Sequence, residues 1–165
     1  MNLSMLEKLI VFFVCKTKGH IIKTQLVKFL YLADLGAVKW QDKQLTDLDW
    51  RYYLNGPWSE NIDLALEKLY KARILQEVTK DSAKLIQPAE NCLNPKTFGF
   101  SKGLELRLSN IVYEWAGANK LDELLEYVYQ TEPMISAQQN HDKEEKALLN
   151  LRLESQKLVE LLGGK

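Results

Sequence analysis

Residues 23–39, Lys-Thr-Gln-Leu-Val-Lys-Phe-Leu-Tyr-Leu-Ala-Asp-Leu-Gly-Ala-Val-Lys, constrain the fold more than any other stretch of the chain. Leu26, Phe29, Leu30, Ala33 and Ala37 fall on one face at helical spacing, and Val27, Tyr31, Leu35 and Val38 make a second apolar face. A helix that is apolar nearly all round has no side to give to solvent, so it belongs at the centre of a domain with the other elements packed about it.

The segments on either side supply candidates for that packing. Leu3, Leu6, Leu9, Ile10 and Phe13 predict a first helix over 3–15, capped by Ser4 or Asn2. Lys16 to His20 reads as a loop in which Gly19 takes positive φ. Trp50, Tyr52 and Leu54 alternate with Arg51 and Tyr53, which predicts a short strand. Asn55-Gly56 then signals a turn, and Pro57 ends any ladder. Ser59 is a good N-cap for a helix reaching about Tyr70. Residues 74–79 and 83–87 predict a hairpin around the 80–82 turn, the helix-then-hairpin order of winged helix-turn-helix domains. Further helices are predicted over 102–116, after an Asn119 cap, from the Pro133 region, and over 142–162. In the last of these Leu148, Leu151, Leu158 and Leu162 follow a heptad rhythm, which predicts partner binding or self-association. The whole reads as a mainly helical α+β fold, with a helical core, a small antiparallel sheet (a winged-helix-like hairpin) and a helical C-terminal part. It divides into a domain over 1–140 and a C-terminal helical element over 141–165.

Composition narrows the function. Lys plus Arg number 22 and Asp plus Glu number 22, so the chain lacks the basic excess that displaces phosphate counterions. The apolar run Leu9–Cys15 is too short to span a bilayer and lacks the flanks of a leader peptide, so it reads as a buried helix and no membrane role is expected. Two isolated cysteines, Cys15 and Cys92, fit a reducing cytoplasm. With the lone histidines His20 and His141 they give no ligand cluster, and no metal or cofactor is expected.

No nucleophile elbow, phosphate loop or dinucleotide fingerprint is present, and the chain reads as no enzyme. Asp34, Asp47, Asp49 and His141 would make an acid-base set only if they converged; as dispersed residues they cap loops and meet solvent. A DNA-reading helix over 23–39 would expose Lys23, Gln25 and Lys28 and then almost nothing polar. A DNA-binding regulator of winged-helix type therefore stands as the alternative, with nucleic acid not favoured as a partner. Trp58, beside a turn, either joins the core or anchors a partner, as interface tryptophans do.

The order of these segments resembles the Panacea domain, the SocA-like antitoxin family. Lys23 through Asp34 is similar to that family's Leu-x-Lys-Leu-Leu-Tyr core. Leu45-Thr46, Trp50 to Leu54 and Gly56-Pro57 follow at its spacing, and Leu121 to Leu124 with Thr131 to Pro133 resemble its closing motif. Asn55 departs from the tyrosine or similar residue that commonly precedes Gly-Pro. The resemblance covers about residues 3–140 and implies a non-enzymatic antitoxin of bacteria, archaea or phages. Such a protein would neutralise a protein toxin encoded by a neighbouring gene through direct contact, in some cases by aiding delivery to a protease. It also carries over Lys23, Leu26, Lys28, Tyr31, Gly56 and Pro57 as signature positions, with Tyr31 expected near the Gly56-Pro57 turn and Trp58 the nearest partner-facing candidate.

Overall fold

The computed structural model describes residues 2–54 and 56–163, with the side chain of Leu158 left undescribed. The first helix, α1 (Met5–Lys16), starts at Ser4 through a capping box: the Ser4 hydroxyl accepts from the Glu7 amide, and the Glu7 carboxylate accepts from the Ser4 amide. Glu7 is buried and also pairs with Lys68 at 3.2 Å. The central helix α2 (Lys23–Gln41) is preceded by a two-residue strand, β1 (Ile21–Ile22). As the sequence demanded, Leu26, Phe29, Leu30 and Tyr31 on α2 are completely buried. Helices α1, α3 (Glu60–Lys71), α4 (Lys102–Trp115), α5 (Leu121–Tyr129), α6 (Glu132–Asn140) and α7 (Arg152–Leu161) join one continuous apolar cluster with it or flank that cluster.

Two antiparallel sheets of three strands complete the fold. In one, β4 (Leu75–Lys80) and β5 (Ala83–Pro88) form the expected hairpin, and β5 also pairs with β1, giving the order β1-β5-β4. In the other, β2 (Arg51–Tyr53) turns into β3 (Gly56–Trp58) with Tyr53 opposite Gly56, while β6 (Ala147–Leu148) lies on the other edge of β2. Asn55 itself lies outside the described residues. The mainly helical α+β architecture is as the sequence indicated. No described helix is long and apolar enough to cross a membrane.

Four local expectations are corrected. Pro57 does not end the ladder; it lies inside β3 opposite Tyr52, on an edge strand, where proline is tolerated. Residues 142–162 are not one helix. Residues 142–146 turn, 147–148 add a strand to β2, and α7 begins at Arg152. Leu148 is thus an exposed strand residue, Leu151 is buried before α7 begins, Leu162 is exposed beyond α7, and the Leu158 side chain lies outside the described residues. Ladder bonds to β2 outcompete the heptad pattern, which is short and broken by Ser155. Asn119 caps no helix; it sits in a 3-10 turn over Ala118–Lys120, and α5 begins without a side-chain cap. Ser59 precedes α3 in extended backbone without a capping hydrogen bond from its side chain.

Candidate functional site

Helix α2 carries a polar group into the core at Asp34, which is 0% exposed. Its carboxylate gathers five donors from the segment that follows the helix. The Leu45 and Thr46 amides donate at 2.9 and 3.0 Å, the Thr46 hydroxyl at 2.5 Å, the Trp50 indole at 2.9 Å and the Gln44 amide nitrogen at 3.3 Å. Burial raises the Asp34 carboxyl above the usual carboxylate range, while the Thr46 and Trp50 donors pull it back down. The result is a pin: a loop that would otherwise wander is fixed to the helix, and Trp50 is delivered to the start of β2. Trp50 then meets the ring of Tyr31 edge-on, with centroids 5.5 Å apart. The Tyr31 hydroxyl reaches 2.8 Å to the Thr131 hydroxyl, which in turn donates to the Val128 carbonyl. Burial pushes the Tyr31 phenol well above its ordinary range, so it stays a neutral donor.

This pin sets the position of the β2–β3 hairpin against the first half of α2. Between them lies an open hollow of about 300 Å³, lined by Lys23, Thr24, Val27, Lys28, Tyr53, Leu54, Gly56, Pro57 and Trp58. Gly56 has φ +130, and a Cβ there would stand 3.7 Å from both the Lys28 Nζ and the Tyr129 hydroxyl, so strain of the backbone, more than lack of room, demands glycine. Trp58 and Tyr53 are half-buried and pack on each other with centroids 5.0 Å apart. The ammonium of the exposed Lys146 stands 4.8 Å from the Tyr53 ring and 5.1 Å from the Trp58 ring. The segment that carries it is fastened to the hairpin, since the Arg51 guanidinium donates to the Lys146 carbonyl and the Leu54 amide to the Lys143 carbonyl.

Of the residues singled out in the sequence, Lys23, Lys28, Gly56, Pro57 and Trp58 meet at this hollow. Leu26 does not; it is fully buried in the core. Tyr31 lies on Trp50, and the atoms nearest the Gly56 position belong to Lys28 and Tyr129. Lys28 is 4% exposed, and burial draws its ammonium below the usual lysine range. Lys23 pairs with Asp63 of α3. Lys146 and Tyr129 were missed; nothing local in the sequence links positions so far downstream to this turn.

The acid-base set does not assemble. Asp34 is buried in its pin, Asp47 and Asp49 face solvent, and His141 pairs with Glu145 on the surface at 2.9 Å. Among the described residues no group of three or more His, Cys, Asp or Glu is placed to hold a metal. The helix-reading alternative also loses ground, because Gln25 is turned inward, accepting from the Ile22 amide and donating to the Gly117 carbonyl. The helix beside the wing, α3, bears Glu60, Asp63 and Glu67 together with Lys68 and Lys71, so it presents no basic face to phosphate.

No curated protein and no solved structure matches this chain. A family model does: that of the antitoxin SocA-like, Panacea domain matches residues 26–157, a span that takes in α2 from Leu26 on, the pinned loop, both hairpins and most of α7. The chain belongs to the SocA-like Panacea antitoxin family.

Proposed function

We propose that the protein is a cytoplasmic antitoxin that neutralises the toxin encoded by a neighbouring gene through direct protein contact, and that the contact is centred on the hollow between α2 and the β2–β3 hairpin. Family membership supports the antitoxin role. The observation that carries the choice of surface is the half-buried aromatic pair Tyr53–Trp58 beside Gly56-Pro57, in a hollow rimmed by Lys23, Lys28 and Lys146. Tryptophan and tyrosine presented at a shallow concavity are the residues that dominate protein interfaces, because they bury large areas with few rotamers to freeze. The exposed Lys146 over that pair favours a partner segment bearing a carboxylate.

Co-expression tests the role. Cells making the neighbouring gene's product alone should stop growing, and cells making both proteins should grow. A product that is harmless alone, or lethal even beside this protein, overturns the antitoxin reading. Rescue that survives Trp58→Ala unchanged, while Trp40→Ala abolishes it at the exposed tryptophan near the C-terminal end of α2, keeps the role and overturns the surface.

A further inference from the structure

Cys15 and Cys92 are far apart in sequence and nearly touching in space. Cys15 lies in the last turn of α1, and Cys92 closes the turn that follows β5, its amide donating to the Ala89 carbonyl at 3.1 Å. Their sulfurs stand 3.7 Å apart. Neither thiol is sealed away, since both residues are half-buried. Cys15 lines an open hollow of about 280 Å³ with Phe12, Lys16, Asn94, Pro95 and Lys96, large enough for a small oxidant to reach the pair. Nothing in the antitoxin reading uses these groups.

We infer that Cys15 and Cys92 are a reversible oxidation site that closes to an intramolecular disulfide when the protein meets a hydroperoxide. A disulfide requires the sulfurs at about 2.05 Å, so the two must approach by somewhat under 2 Å, within reach of side-chain rotation. Cys92 sits in a turn outside helix and strand, where such an adjustment disturbs no ladder. Burial, with the neighbouring thiol, pushes Cys15 up to about 12, and either order of attack by the two sulfurs gives the same product. In the first step one of the two sulfurs attacks the peroxide; the O–O bond breaks, one oxygen stays on sulfur as a sulfenic acid, and the other leaves as water or an alcohol. In the second the other sulfur attacks the sulfenic sulfur. The S–S bond forms, the S–O bond breaks, and the departing hydroxide takes the thiol proton and leaves as water. Two thiols are oxidised and one peroxide is reduced.

The bond would tie the end of α1 to the turn leading towards α4, across a sequence separation of 77 residues, and would restrict the unfolded chain. Purified reduced full-length protein, treated with hydrogen peroxide and then with an alkylating reagent, tests this. The expected result is a mass lower by two hydrogens, a Cys15–Cys92 peptide pair in the digest, a raised thermal midpoint, and return to the start with dithiothreitol. Cys15→Ser and Cys92→Ser should each abolish the linked pair. Both thiols still alkylated after peroxide, added oxygen without a link, or a link only between separate molecules overturns the inference. A link that leaves the midpoint unchanged or lower overturns the claim that the native geometry accepts the bond.

Discussion

In the sheet β1-β5-β4, six registered pairs join β4 to β5, and Ile21, Leu75 and Ile86 are buried beneath it. In the sheet β3-β2-β6 the strands have three, three and two residues, too few for a ladder to hold unaided. What holds the second sheet is outside it: the Asp34 carboxylate gripping the loop and Trp50, the Trp50–Tyr31–Thr131 chain, and the Lys143 and Lys146 carbonyls accepting from Leu54 and Arg51. The first sheet is a self-consistent local structure. The second is a short ribbon suspended from helix α2 by side chains, so its stability is linked to a buried polar group rather than to its own strands.

Substitutions that cut the suspension should separate the two sheets most sharply. Asp34→Ala leaves the Trp50 indole and two backbone amides without their acceptor in the core. We expect a loss of about 3–5 kcal/mol in urea unfolding, the size seen when one partner of a buried charged network is removed. A loss below about 1 kcal/mol would show that the loop holds without its pin. The corresponding test on the other sheet, Lys84→Ala at an exposed β5 position, should leave the urea midpoint where it was.

Trp58→Ala should next weaken binding of the purified toxin by roughly 30-fold, about 2 kcal/mol by titration calorimetry, while thermal stability changes little. An equal loss of stability and affinity would place Trp58 among the supports of the hairpin and not at the contact. Gly56→Ala forces a side chain into backbone at φ +130 and should cost about 1.5 kcal/mol in chemical unfolding, with no loss if the turn relaxes freely. Smallest is Tyr31→Phe, which removes the hydrogen bond to Thr131 and keeps the ring on Trp50; about 1 kcal/mol is expected from the same unfolding curves.

The same contrast explains what the sequence disclosed. The β4–β5 hairpin was legible because its two short strands flank a local Lys80-Asp81-Ser82 turn, and α2 was legible because its periodicity is unbroken over five turns. Strand β6 was hidden inside a run of leucines that imitates a heptad, because two ladder pairs with β2 leave no periodic trace. Asp34 looked like one of several loop acids; only the fold reveals that five donors converge on it. Five positions of the hollow were readable from the order of Lys23, Lys28 and Gly56-Pro57-Trp58. Lys146 and Tyr129 were not, since their role depends on a chain reversal that no local pattern encodes.

The pinning of the 44–50 loop by Asp34 has a consequence for how such a protein can be remade. The side chains of the pin, Asp34, Thr46 and Trp50, all point inward, and the side chains that give the hairpin's outer surface its character, those of Trp58, Leu54 and Lys146, take no part in it. The rim can therefore be rewritten without renegotiating the scaffold. A library randomised at those three positions over an intact Asp34, Thr46 and Trp50 should yield mostly folded members, which makes the chain a natural starting point for selecting binders against proteins it has never met.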